Sequence, residues 1–127
     1  MILRCYNFGI INMGDIRIIS QKISRMDLKK IAKESFGDMV KAAVDIERGI
    51  LALGGELHAD EEALLLDQGS EQKNLWGINL YPEKLGAEWI EFDSMINIRP
   101  TQGNRSRDVQ DPVIRERIVT VVNTFIE

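Results

Sequence analysis

The 127-residue sequence contains one cysteine and one histidine, and it has no long hydrophobic run. A single cysteine excludes an internal disulfide framework and any metal site that needs several thiolates. A single histidine excludes sites built on two imidazoles. No apolar stretch approaches the roughly 20 residues of a membrane helix, and the N-terminal residues lack the pattern of a signal peptide. We therefore expect a cytoplasmic protein with no membrane segment.

The charge is small in total but unevenly distributed along the chain. The composition, 44% apolar and 28% charged, is that of one globular domain, and the formal net charge is −4. Residues 56–93 contain ten acidic residues and two lysines, whereas residues 99–107 contain three arginines and no acidic residue. The total argues against nucleic acid as a partner. A phosphate-bearing ligand is excluded less firmly at the basic segment.

The first residues of the chain differ from those that follow. Residues 1–12 are mildly apolar, and the strand-like pattern opens only after Met13-Gly14-Asp15. We expect residues 1–12 to be an N-terminal extension, either disordered or an extra edge strand, and residues 13–127 to be a single domain. Cys5 lies in the extension with only Arg4 nearby to activate its thiolate, so we do not expect a catalytic role for it.

Hydrophobic periodicity predicts several consecutive strands between two helices. The predicted strands lie at residues 15–20, 39–47, 50–58, 74–81 and 88–99. A capping box at Ser24–Asp27 predicts a helix over residues 25–36, and Asp111-Pro112 predicts the start of the last helix. Residues 39–47 also fit a helix, and residues 62–67 fit either a strand or a helix. The order predicts an α+β domain: a mostly antiparallel meander sheet of about five strands with two helices packed on one face.

The first candidate site surrounds the only histidine. On a strand, Glu56, His58 and Asp60 would point to one face. One imidazole and two carboxylates could bind a divalent metal. Alternatively, Glu56 or Asp60 could orient His58 as a general base. A histidine with a purely structural role is the competing interpretation.

The second candidate is a pair of carboxylates. Strand alternation would place Glu91 and Asp93 on one face, alongside Trp89. Two negative charges this close raise each other's pKa, which can produce an acid–base pair. The alternative is a solvent-exposed face, or carboxylates neutralised by Arg99 or Arg105.

The third candidate is the polar segment that precedes the last helix. Gly103 permits a close approach of the backbone, and arginine guanidinium groups suit a carboxylate or a phosphate. A polar loop of this length in a compact domain is usually functional or disordered. The predicted ligand-binding residues are Arg99, Asn104, Arg105, Ser106 and Arg107. The alternative is a set of arginines that clamp the acidic sheet of the same molecule.

Several blocks of sequence together resemble one protein family. They are FG at residues 36–37, VKAAVDIE at 40–47, GGELHAD at 54–60, LWGINLYP at 75–82, IEFDSMINIRP at 90–100 and GNRSR at 103–107. Within residues 15–126, these blocks resemble a family of small uncharacterised prokaryotic proteins catalogued as a domain of unknown function. The resemblance implies a family but neither an activity nor catalytic residues.

These observations favour a small protein that binds an anionic or polar ligand. The ligand would lie between the Gly103–Arg107 loop and the strand face near His58, Glu91 and Asp93. One alternative is a small metal-dependent or acid–base hydrolase or lyase using these three residues and Asp60. Another is a protein-binding regulatory module. We expect a homodimer, formed through an exposed sheet edge or the apolar stripe of the last helix. The sequence identifies no cofactor.

Overall fold

The structure, a computed structural model, describes residues 16–127. The extension predicted for residues 1–12, with Cys5, lies outside this range. Within residues 16–127, no helix combines the length and the apolar character needed to cross a membrane.

The described part of the chain forms a five-stranded antiparallel sheet and three α-helices. The strands are β1 (Arg17–Ile19), β2 (Val40–Asp45), β3 (Ile50–Leu53), β4 (Leu75–Leu80) and β5 (Ile90–Glu91). The helices are α1 (Arg25–Lys33), α2 (His58–Asp67) and α3 (Pro112–Phe125). The strand order is β1-β3-β2-β4-β5, and each neighbouring pair is antiparallel. The predicted α+β class is confirmed.

Helices cover both faces of the sheet. The helices α1 and α3 pack on one face, where Leu28 and Ile118 join the core formed with alternate strand residues such as Val44. On the opposite face, Leu64 and Leu65 of α2 pack against the strand residues whose side chains point to that side, such as Ala43 and Ala52. The prediction of two helices on one face therefore describes α1 and α3, and α2 adds a third helix on the other face.

Local signals at the helix ends act as the sequence predicts. The Ser24 hydroxyl accepts a hydrogen bond from the Asp27 N–H (3.0 Å), and the Asp27 carboxylate accepts one from the Ser24 N–H (3.2 Å). The Asp111 carboxylate accepts a bond from the Val113 N–H (2.8 Å) at the start of α3. These contacts satisfy N–H groups that the first helical turn leaves unpaired.

Two predicted strands are much shorter than their alternation suggests. The strand predicted over residues 50–58 ends at Leu53, because Gly54 adopts a positive φ of 95° and the chain leaves the sheet. His58 then begins α2, so residues 62–67 are helical. The strand predicted over residues 88–99 retains only β5, since the chain turns into short 3₁₀ helices at Met95–Asn97 and Pro100–Gln102.

Side chains occupy the edge of β4 that the missing strand would have paired. The Asn97 amide accepts a bond from the Gly77 N–H (2.8 Å) and donates one to the Gly77 carbonyl (3.0 Å). The Arg99 guanidinium donates to the Leu75 carbonyl. A Cβ at Gly77 would lie 2.5 Å from the Ser94 Cβ, so only glycine lets this segment pack so closely. These bonds replace a strand ladder and hold the 94–107 segment against the sheet.

Candidate ligand-binding groove

A groove of about 470 Å³ lies where the start of α2, the β4–β5 edge and the 94–107 segment meet. Its volume is within the usual range of small-molecule sites. The polar side chains that line it are Lys41, His58, Asn79, Tyr81, Glu91, Asp93, Ser94 and Arg107. The apolar residues that line it are Met39, Leu57, Ala59, Met95 and Ile96. Residues distant in sequence thus converge on one concave surface.

The groove brings together His58, Glu91, Asp93 and Arg107, which the sequence placed in three separate candidate sites. The three residues predicted to bind a metal, Glu56, His58 and Asp60, do not come together in this groove, where only His58 is part of the lining. Because His58 and Asp60 belong to a helix, where residues two apart do not share a face, the predicted common strand face does not form. Glu56 lines a second cavity, of about 460 Å³. Across residues 16–127, no group of three His, Cys, Asp or Glu side chains is placed to hold a metal ion.

His58 lies buried at the bottom of this arrangement, with 9% of its surface exposed. Its Nε2 lies 2.8 Å from the Ile78 carbonyl oxygen, and a carbonyl can only accept, so Nε2 carries the proton. Burial lowers the pKa of His58, and the charge of Lys41 acts in the same direction. The Ile78 carbonyl, the Asn79 side chain and the charge of Asp93 oppose this shift. Burial therefore favours the neutral imidazole, and in that form the hydrogen bond of Nε2 leaves the lone pair on Nδ1.

Glu91 is held by neutral donors. Its Oε1 accepts hydrogen bonds from Asn79 Nδ2 (2.8 Å) and from the Tyr81 hydroxyl (3.1 Å). Burial and the charge of Glu91 raise the pKa of Tyr81, so the hydroxyl remains a donor. Glu91 takes part in none of the ion pairs formed within residues 16–127. Its negative charge is positioned but not neutralised.

Asp93 has a different partner from Glu91. The Arg107 Nε lies 2.7 Å from the Asp93 Oδ1, and both side chains remain about half exposed. The sequence offered Arg99 or Arg105 as the neutralising residue, whereas the structure uses Arg107. The shared strand face predicted for Glu91 and Asp93 does not form, because β5 ends at Glu91. The two carboxylates thus have separate environments in one groove.

Three of the five predicted ligand-binding residues, Arg99, Asn104 and Ser106, stabilise the conformation of this segment. The Asn104 Nδ2 lies 2.7, 3.0 and 2.7 Å from the carbonyl oxygens of Asn97, Ser106 and Asp108, which share its two hydrogens. Its Oδ1 accepts from the Gln110 N–H at 2.8 Å. The Ser106 hydroxyl accepts from the Asp108 N–H. Arg99 is buried and lies 4.2 Å from the centre of the Trp76 ring.

The other two predicted loop residues have more solvent contact. Arg105 is exposed and does not line the groove. Arg107 is the residue of this predicted set that lines it. The loop therefore contributes to the groove through one arginine.

Two polar residues of the groove, Lys41 and Asn79, were not predicted as site residues. Each lies among apolar neighbours in its strand, and this interruption is the signal that could have identified them. Strand register explains their place: Lys41 is opposite Asn79 in the β2–β4 pair, and Asn79 is opposite Glu91 in the β4–β5 pair. Their proximity depends on a pairing that one strand alone does not reveal.

The fold and the groove define a small α+β protein with a polar cleft at the edge of an antiparallel sheet. Residues 17–125 match a family described as "Protein of unknown function (DUF5674)". The chain belongs to this family, which confirms the resemblance seen in its sequence blocks. No curated protein and no solved structure matches the chain.

Proposed function

We propose that this protein binds a small polar ligand in the groove. The observation that carries the proposal is the Glu91 carboxylate, which two neutral donors hold in place and no described cation neutralises. A charge positioned in a concave site without a counter-charge is suited to an incoming group of opposite sign. The location agrees with the ligand position expected from the sequence, between the basic loop and the residues His58, Glu91 and Asp93.

Arg107 supports the anionic part of the proposal. Within residues 16–127 its Nε is bonded to Asp93, whereas its two terminal amino groups make no hydrogen bond. A guanidinium can present those groups to a carboxylate or a phosphate. Within the groove, this part of the proposal rests on Arg107, because Asn104 and Ser106 are bonded to the loop backbone and Arg105 does not line the groove.

An acid–base hydrolase or lyase is the second candidate, favoured by the hydrogen bond of His58 Nε2 to the Ile78 carbonyl, which leaves Nδ1 as the basic nitrogen of the neutral ring. Its Nδ1 lone pair is that of a general base, and Glu91 and Asp93 line the same groove. Asp60 does not line the groove, and the described residues supply no set of three metal ligands. The acid–base form of this alternative is therefore better supported than the metal-dependent form.

Amide NMR spectra and thermal unfolding test both candidates. We expect a bound polar compound to shift the amide resonances of His58, Asn79 and Glu91 and to raise the Tm by mass action. A panel of divalent cations, nucleotides, amino acids and sugars supplies the probes. Glu91→Gln should lose the response, whereas Glu88→Gln, an exposed carboxylate outside the groove, should keep it. Absence of any groove response across the panel would contradict binding. Turnover that His58→Gln abolishes would favour the enzyme.

Self-association and a cytoplasmic location complete the proposal. The strand β1 lies at a sheet edge, with β3 as its neighbour among the described strands. A second copy could pair along this edge. The other predicted interface, the stripe of α3, is wrong because Ile118 and Val122 are buried in the core of their own chain. Sedimentation equilibrium of the full chain tests the dimer, and a monomer at all concentrations would contradict it.

A further inference from the structure

Lys41, Asn79 and Glu91 form a row across three strands. The register pairs Lys41 with Asn79 and Asn79 with Glu91, and directly opposed residues present their side chains on the same face. Because neighbouring strands are about 4.8 Å apart, the backbones of Lys41 and Glu91 are roughly 10 Å apart. The row thus places one positive and one negative side chain along a single wall of the groove, with an amide between them.

Neither charge of this row is neutralised by another residue of the described chain. Glu91 accepts from Asn79 and Tyr81, and Lys41 Nζ lies 5.0 Å from the centre of the Phe36 ring rather than beside a carboxylate. The remaining charged pair of the groove, Arg107 with Asp93, neutralises itself. The row therefore holds the two charged groups of the groove that lack an ion-pair partner, one of each sign, and the terminal amino groups of Arg107 remain as additional donors to an anionic group.

We propose that the ligand is a zwitterion of the amino-acid type, with its ammonium group on Glu91 and its carboxylate on Lys41. This inference rests on the proposed function. A ligand with a single charge would pair with only one of Lys41 and Glu91. A ligand with separated charges satisfies both. The apolar lining formed by Leu57, Met95 and Ile96 would contact its side group.

The apolar lining also indicates which zwitterions fit best. Leu57 is 55% exposed and Met95 is 65% exposed, so both present apolar surface to a ligand in the groove. An aliphatic side group would cover part of this surface, and methionine adapts its shape readily to different groups. We therefore expect leucine and methionine to bind more tightly than glycine.

The experiment is a calorimetric and NMR titration of the full chain at pH 7. L-Leucine is compared with 3-methylbutylamine, which lacks the carboxylate, and with 4-methylpentanoate, which lacks the ammonium group. We expect leucine to bind at least about tenfold more tightly than either analogue, a discrimination typical of a lost charge-assisted hydrogen bond. All three share the side group, so the comparison isolates the two charges.

Two variants assign the charges to their residues. Glu91→Gln should weaken binding of leucine and leave binding of 4-methylpentanoate unchanged. Lys41→Met should weaken binding of leucine and leave binding of 3-methylbutylamine unchanged. Glu88→Gln and Lys33→Met, both at exposed positions outside the groove, are the matched controls and should bind leucine like the wild type.

The outcomes separate this inference from the proposed function. If an analogue shifts the groove amides and binds as tightly as leucine, the zwitterion is wrong and the groove remains a binding site. The same holds if another polar compound binds there and amino acids do not. If no compound of the wider panel shifts the groove amides, both proposals fail. If a variant does not fold, the affinities of the wild-type protein for leucine and its two analogues still test the zwitterion proposal.

Discussion

The loop of residues 103–107 and the wall of the groove are both rich in polar side chains, yet they use them in opposite ways. In the loop, the amide of Asn104 makes four hydrogen bonds to backbone groups. In the groove wall, Lys41 and Glu91 remain without an ion-pair partner among the described residues. A high density of polar residues therefore does not identify a ligand-binding site, because most of those residues can serve to stabilise the fold. Groups that the fold leaves without a partner are better indicators.

The largest expected effect is that of Asn104→Ala on stability. The substitution removes four hydrogen-bond contacts from a buried position, and because the two Nδ2 hydrogens are shared among three of them, we count three full bonds. At a net value near 1 kcal/mol each, their loss should cost about 3 kcal/mol. Urea unfolding measures the loss. Arg105→Ala, next in sequence but exposed, should change stability by less than about 0.5 kcal/mol. Equal effects of the two substitutions would remove the distinction between the bonded and the free residues of the loop.

Gly77→Ala should give the next largest effect. The added methyl group would lie 2.5 Å from the Ser94 Cβ, so the 94–107 segment must move away from β4. Overpacking of this kind costs about 2 kcal/mol. Thermal or urea unfolding measures the cost, and amide shifts in Asn97 should report the displaced segment. An unchanged stability of Gly77→Ala would show that the segment is not held against the strand.

A smaller effect should appear in the pH dependence of stability. The pKa of His58 is lower in the folded protein than its ordinary value of 6.5, because burial disfavours the charged form. The unfolded chain therefore takes up a proton first, and stability falls as the pH drops below 6.5 toward the folded pKa. Lys41 and Asp93, which face the imidazole with opposite charges, act in opposite directions on this shift.

His58→Gln isolates this contribution when urea unfolding is compared between pH 5 and pH 8. The variant should lose less stability than the wild type on acidification. Burial raises the pKa of Glu61 well above 4.5, so Glu61 changes stability with pH in the opposite direction to His58. Because Glu61 is present in both proteins, its contribution cancels when their pH profiles are compared. Identical pH profiles would mean that His58 is as easily protonated in the folded chain as in the unfolded one.

The smallest expected effect on stability is that of Arg107→Ala. Both members of its ion pair with Asp93 are about half exposed, and such pairs contribute less than about 1 kcal/mol. We expect a slight decrease in the urea midpoint and a clear loss of affinity for ligands with a carboxylate or a phosphate. A large loss of stability would instead assign Arg107 to the clamp that the sequence offered as an alternative.

Parts of the fold that depend on neighbouring residues were predictable from the sequence. Ser24 and Asp111 cap helices through contacts within a few residues, so the pattern alone locates α1 and α3. The alternation of residues 88–99 was misleading because Asn97 and Arg99 bind a distant strand edge with their side chains. Nothing in the local pattern distinguishes that arrangement from a strand.

The candidate site, like the fold, was predictable only where it depends on local sequence. His58, Glu91, Asp93 and Arg107 were predicted because each has a reactive or charged side chain in a polar context. Their proximity was also expected from the sequence, but the detailed arrangement of the groove and the addition of Lys41 depend on strand register and on the place where α2 begins. Those features depend on tertiary contacts, which a single sequence does not specify.

The most direct measurement is the ligand-induced change in Tm for wild type, Glu91→Gln and Arg105→Ala, with L-leucine as the ligand. We predict that Glu91→Gln unfolds at the wild-type temperature without ligand and loses the increase that leucine produces. Arg105→Ala should keep that increase. An increase retained by Glu91→Gln and lost by Arg105→Ala would contradict the account, because it would place the ligand on the loop rather than in the groove.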